Sequence, residues 1–177
     1  MILTSFAWGR KYLPLLERLR RTARDHGIDA SLHSRQGEPP GPGAAKREKP
    51  VVLLEELALN DPVLWVDADG ILQGALPEIE IDDDFGLIKN NGYWESNVIL
   101  AHGTTRALAT LKKWRDRMGP DFDGSDCLEL NLAIGDIQPT ITELPVELGW
   151  VSEWYYNRFG ARQPVIELNM PAGGCCG

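Results

Sequence analysis

Residues 63–70 read Val-Leu-Trp-Val-Asp-Ala-Asp-Gly, so two carboxylates, Asp67 and Asp69, follow directly on a short apolar run. Carboxylates this close repel each other, and with no basic neighbour in sequence a divalent cation is the ordinary remedy. Hard oxygen ligands favour Mg2+ or Mn2+, which keep waters and bind substrate phosphates rather than sit in a closed protein cage. Asp-x-Asp recurs at Asp82/Asp84 and Asp121/Asp123. The first of these follows the alternating Ile79-Glu80-Ile81, a predicted half-exposed strand running into a turn. The second sits in the turn-rich Gly-Pro-Asp-Phe-Asp-Gly-Ser. Both read as solvated loop acids. Residues 63–66 differ because a continuous apolar run is the signature of a parallel strand covered on both faces. Ligands of such sheets gather at the carboxyl ends of their strands.

The elements that must position this pair can be read outward from it. Residues 2–6 predict a first strand. A helix follows, with Pro14 in its first turn and Leu16, Leu19 and Ala23 at helical spacing, ending near His26-Gly27. Residues 28–33 predict a second strand, which makes the opening β-α-β. Residues 36–50 are rich in Gly and Pro and then charged, and predict a mobile surface loop. Pro50 starts a short apolar helix that leads into the Asp67 strand. Further strands are expected over residues 79–81, 86–88 and 97–100. An amphipathic helix is expected over residues 104–118, a helix opening at Ser125-Asp126 and reaching residue 134, and a strand over residues 140–144. This order implies an α/β sandwich with a mainly parallel central sheet.

The 177 residues, 43% apolar and 25% charged, suit one domain with one core, expected over residues 1–170 ahead of a Gly/Cys tail at 171–177. No run approaches the 18 or more apolar residues of a membrane helix, and the N-terminus lacks a basic and apolar leader, so a cytoplasmic protein is expected. Cys127, Cys175 and Cys176 form neither a metal spacing nor an even disulfide set, and reduced thiols are the simplest reading. The net charge of -8 is unevenly spread. Residues 1–50 carry ten Lys/Arg against five Asp/Glu, and the remainder eight against twenty-one. A basic segment facing an acidic site could steer a nucleotide. Equally, Arg18, Arg20, Arg21 and Arg24 read as a solvated helix face, with Glu17 as the i,i+4 partner of Arg21. The overall acidity argues against a nonspecific nucleic-acid binder.

The N-terminal β-α-β, the helix introduced by Lys49-Pro50 and the strand ending in Trp-Val-Asp-Ala-Asp-Gly resemble GT-A-fold nucleotide-diphospho-sugar glycosyltransferases. The resemblance continues through Gly-Tyr-Trp-Glu-Ser-Asn-Val-Ile-Leu-Ala at 92–101, through Ser-Asp-Cys-Leu-Glu-Leu-Asn-Leu-Ala-Ile at 125–134 and through residues 144–157. It implies a GT-A-like α/β/α fold and transfer of a sugar from a nucleotide-diphospho-sugar, UDP-sugar foremost. In that reading Asp67, Ala68 and Asp69 face the diphosphate, and the two carboxylates hold Mn2+ or Mg2+. Ser96 and Asn97 lie beside the donor sugar, and Thr4, Phe6 and Tyr12 flank the nucleotide base. Asp126 contacts the donor sugar or takes the acceptor's proton. The acceptor, whether glycan, protein, small molecule or modified nucleic-acid base, is not specified, nor is the oligomeric state.

Each assignment has a plainer counterpart. Asp126 with Glu129 has the form of a capping box. Thr4, Phe6 and Tyr12 suit a core. The cluster Trp150, Trp154, Tyr155, Tyr156 and Phe159 could stack on an acceptor sugar or simply pack. The chain also departs from the family pattern. Glu95-Ser96-Asn97 replaces Asn-x-Gly, Cys127 stands where Gln is common, and the C-terminal His that often completes the metal shell is missing, with Glu167, Asn169 or water as substitutes. Two alternatives stay open: a noncatalytic sugar-nucleotide-binding or scaffold relative, and a haloacid-dehalogenase-like phosphatase with Asp67 as nucleophile. Against the phosphatase, Ile71 occupies the place of a Thr, and residues 1–60 would precede the motif that normally opens that fold.

Overall fold

The computed structural model describes residues 1–41, 43–119, 121–151 and 163–168. Its centre is a six-stranded sheet of order β2-β1-β3-β6-β5-β7. The strands are β1 (Ile2–Trp8), β2 (Ala30–Arg35), β3 (Val63–Val66), β5 (Phe85–Asn90), β6 (Tyr93–Ala101) and β7 (Ile141–Glu143). β1 pairs in parallel with β2 and β3, and β5 in parallel with β7. Only β6 runs against its neighbours in this sheet. A small second sheet joins β4 (Gly70–Leu72), β9 (Ile166–Leu168) and β8 (Trp150–Val151). The expected α/β sandwich with a mainly parallel centre is the observed architecture.

β3 shows why an apolar run without alternation forms a central strand. Val63 and Trp65 enter the core on one face, Leu64 and Val66 the core on the other, and all four are buried. The first face is covered by α2 (Ala44–Leu57), α3 (Thr105–Arg117) and α4 (Asp126–Ile137), through Val52, Leu53, Leu111, Trp114 and Leu130. The second is covered by α1 (Leu13–Asp25), β4, β9 and a 3-10 turn (Val146–Gly149), through Leu19, Leu72, Ile166 and Leu148. Burying a side chain of this size contributes about 1.5–3 kcal/mol.

Several local expectations are corrected. Half of the predicted 36–50 loop is helix, because α2 begins at Ala44 and carries Pro50 inside it. Pro50 lacks an N–H to donate and would ordinarily mark a helix start. Burial of Lys49, Pro50, Val52 and Leu53 outweighs that loss. Residues 79–81 form no strand, although Ile79 and Ile81 still pack on the second core. β5 and β6 instead form a hairpin through Asn91-Gly92, both at positive φ (49° and 86°), as a two-residue type I′ turn requires. Glu17 pairs with Arg20 rather than Arg21, and Arg18 is half-buried rather than part of the solvated face.

Asp84 is likewise no solvated acid. It is buried, accepts from the Thr140 backbone N–H at 2.7 Å and pairs with Arg106 at 3.0 Å. Thr104, the N-cap of α3, also donates its hydroxyl to it. Burial works to raise the Asp84 pKa, and the Thr104 and Thr140 hydrogen bonds outweigh it and hold the carboxyl below its usual range. Asp121 and Asp123 are exposed, as expected. Cys127 is disulfide-bonded, so the expectation of reduced thiols does not hold for it.

Candidate active site

The carboxyl end of β3 delivers Asp67 to a buried cation that the sequence reading did not single out as a site residue. Lys49, on α2, places its Nζ 2.8 Å from Asp67 Oδ1 and 2.9 Å from Asp126 Oδ2. The same ammonium donates to the Ser96 carbonyl at 2.9 Å and lies 5.7 Å from the centre of the Trp65 ring. Trp65 donates its indole N–H to Asp67 Oδ1 at 2.7 Å. Ser96 donates its hydroxyl to Asp126 Oδ2 at 3.0 Å, and Trp114 donates its indole N–H to the Asp126 carbonyl at 2.8 Å. Residues distant in sequence, from α2, β3, β6 and α4, thus converge on one ammonium.

The same contacts settle the structural alternative for Asp126. The cap of α4 is Ser125, whose side chain accepts from Leu128 N–H, and Glu129 pairs with Arg117 at 2.7 Å. The capping-box reading of Asp126 with Glu129 is therefore off by one residue, and the Asp126 carboxylate is turned to Lys49. Its position in the first turn of α4 is favoured by the positive end of the helix dipole.

Charge is unequally shared across the cluster. Burial raises the Asp67 pKa from 3.8 to about 6, with Lys49 pulling it down and Asp126 and Asp69 pushing it up. For Asp126, burial works in the same direction, but the Lys49 charge and hydrogen bond together with Ser96 hold it below its usual range. Burial also raises Asp69 and Glu95, the latter bonded to Asn90 at 2.7 Å. Negative groups here outnumber the one buried ammonium.

The remaining predicted residues fall into place unequally. Gly70 N–H donates to the Asp67 carbonyl at 2.8 Å, closing the turn in which Ala68 and Asp69 lie half-buried. A Cβ at Gly70 would stand 2.6 Å from Val66 Cγ1, so the turn needs glycine on packing grounds. Asn97 is buried, its side chain accepting from Val98 N–H and its carbonyl from Asp67 N–H. Thr4 is fully buried and donates to the Ser31 carbonyl at 2.8 Å. Phe6 is buried edge-to-face against Trp8, whereas Tyr12 is exposed at the N-cap of α1. Glu167 is drawn to Gln73 at 2.7 Å. Asn169, the tail and residues 154–159 of the aromatic cluster lie outside the described residues.

The donor set can be tested against the divalent ion that the resemblance implies. Among the described residues no three His, Cys, Asp or Glu side chains converge as a cage. Two hard carboxylates are present, and both Trp65 and Lys49 bond the same oxygen of Asp67, Oδ1, which leaves Oδ2 for a further partner. With acidic groups in excess, the residues fit an ion that takes two protein oxygens and fills its shell from phosphate and water.

No family model and no curated protein matches the sequence. Solved structures do match. The glycosyltransferase GlyE of Streptococcus pneumoniae TIGR4 superposes with a TM-score of 0.67 at 14% identity, covering 97% of this chain and 56% of that one. A glycosyltransferase involved in glycosylation of the major capsid of PBCV-1 gives 0.68 at 12% identity, covering 97% and 95%. The chain has a GT-A-like glycosyltransferase fold. The bifunctional glycosyltransferase WbbM, in its apo structure, gives 0.67 at 9% identity, covering 98% of this chain and 46% of that one. The chain thus spans about half the length of GlyE and WbbM but nearly all of the capsid enzyme. Within this fold the phosphatase alternative loses its basis, because two strands and two helices precede β3. No helix among the described residues is long and apolar enough to cross a membrane.

Proposed function

We propose that the protein is a metal-dependent glycosyltransferase that moves a sugar from a nucleotide-diphospho-sugar, UDP-sugar foremost, to an acceptor. The observation that carries this reading is the meeting of Asp67 and Asp126 on Lys49 at the carboxyl end of β3, within a glycosyltransferase fold. Asp67 and Asp69 would hold Mn2+ or Mg2+ against the diphosphate, where the ion would supply neutralising charge for the leaving nucleotide. Lys49 keeps Asp126 ionised and aimed. An ionised Asp126 can accept a hydrogen bond from a sugar hydroxyl, or the proton of an acceptor hydroxyl. Ser96 and Asn97 line the donor-sugar side, and Ala68 lets the diphosphate approach the motif. Thr4 and Phe6 shape the floor under the nucleotide base, with Tyr12 at its rim.

A thermal-shift screen against UDP-, GDP-, dTDP- and CMP-sugars, each with and without Mn2+ or Mg2+, tests the reading. A ligand that binds only the folded state raises the melting temperature, and a rise that needs both nucleotide and metal is expected. Hydrolysis of the responding sugar nucleotide then separates an enzyme from a noncatalytic binding relative, which would bind without turnover. No response to any pair refutes the proposal.

A further inference from the structure

The Asp67–Asp69 turn is gripped from both faces of the sheet. Lys49 reaches it from α2, on the face that buries Val52 and Leu53, and Arg18 reaches it from α1, on the face that buries Leu19. The two cations make different contacts. Lys49 binds a carboxylate, whereas Arg18 donates from Nη2 to the backbone carbonyl of Asp69 at 3.0 Å. One helical turn on, Thr22 accepts from Leu72 N–H at 3.2 Å, so α1 bonds both the residue that precedes β4 and the last residue of β4.

This use of an arginine is unlike that of its neighbours. Arg20, Arg21 and Arg24 on the same helix are exposed. Arg18 is half-buried, and its Nε is buried with no acceptor among the described residues. Leaving a guanidinium N–H without a partner is costly, so the bond to Asp69 is the polar contact that anchors this side chain. Restraining the Asp69 carbonyl restrains its backbone, and with it the Cα–Cβ bond from which the carboxylate projects.

We infer that Arg18 is a positioning residue for the cation site, acting through the Asp69 backbone to hold its carboxylate ready for a divalent ion. The inference rests on the proposed metal-dependent reading of Asp67 and Asp69. Partners that orient metal ligands without touching the ion typically control metal affinity by roughly ten- to a hundredfold.

The test is Mn2+ binding followed by electron paramagnetic resonance, alone and with UDP, GDP or dTDP, on the full chain and three variants. R18Q removes the charge, and its shorter side chain falls short of the Asp69 carbonyl. R18K restores the positive charge on a side chain longer than that of Gln. T22V removes the neighbouring α1–β4 bond and leaves Asp69 untouched. R18Q is expected to weaken Mn2+ binding about tenfold or more, R18K to recover most of the loss, and T22V to lower the melting temperature without changing Mn2+ affinity. Mn2+ affinity of R18Q within twofold of the parent, an R18K variant as weak as R18Q, or a T22V variant as weak as R18Q would each overturn the inference while leaving the metal reading intact. An R18Q chain that does not fold assigns Arg18 to stability and also overturns it. A parent chain that binds no Mn2+ overturns both.

Discussion

Asp67→Asn gives the sharpest test of the electrostatics at the β3 terminus, because an ordinary buried ion pair and this one predict opposite signs. In the unfolded chain Asp67 ionises near 3.8, and in the fold near 6. Between those values the native state holds the extra proton, so this group makes stability fall as pH rises from about 4 to about 6. By about pH 7, one unit above the folded pKa, the penalty is complete. A shift of roughly two units corresponds to about 3 kcal/mol, an upper bound in a cluster where Lys49 couples two carboxylates. Asn keeps an oxygen for Trp65 and removes the charge, at the loss of one charged hydrogen bond to Lys49, which offsets about 1.5–3 kcal/mol. The net expectation at pH 7.5 is a melting temperature unchanged or raised by up to about 6 °C, at roughly 2–4 °C per kcal/mol for a chain of this size. Thermal melts of both proteins from pH 5 to 8 supply the measurement. The parent's loss of stability across pH 5–6.5 should shrink in the variant, and the half-buried Asp69 and buried Glu95 should maintain part of it, since their pKa values are also raised. A variant that melts more than about 5 °C below the parent at pH 7.5, with the same pH slope, would refute this account.

Asp126→Asn should behave the other way. Its ionised form is stabilised by Lys49 and Ser96, and losing a buried pair in which Lys49 remains costs about 3–5 kcal/mol, readable by urea unfolding at pH 7.5; a cost below about 1 kcal/mol would contradict the pairing. Lys49→Met strands both carboxylates and should be at least as damaging, and a melting temperature within about 2 °C of the parent would show that the ammonium does not hold the cluster. Asp69→Ala should leave the melting temperature of the ligand-free protein nearly unchanged while abolishing metal-dependent nucleotide binding by calorimetry; retained affinity would remove Asp69 from the site. Asp84→Ala should cost about 2–4 kcal/mol, since it leaves Thr104, Thr140 and Arg106 without their shared acceptor, and a loss under 1 kcal/mol would mean that water replaces the carboxylate.

The sequence by itself determined the layered α/β class and the strand that ends in Asp67, because burial on both faces leaves a continuous apolar signature that local order alone records. It also located α1, α3 and the start of α4, where apolar spacing and Pro14 or Ser125 agree with the packing. Two features depended on tertiary structure. The start of α2 was hidden because Gly, Pro and charged residues at 36–50 carry breaker signals, and only burial against the sheet outweighs them. Lys49 was hidden for the related reason that its partners, Asp67, Ser96 and Asp126, lie 18, 47 and 77 positions away. Charge in sequence identifies a surface lysine as readily as a buried one. Asp84 shows the same limit, since its acidic neighbours suggest solvent while Thr104 and Thr140 close over it from distant segments. Periodicity reports which face of an element is buried. What a buried polar group touches is set by long-range contacts, and at this site those contacts decide which carboxyl is held below its usual pKa and which is raised above it.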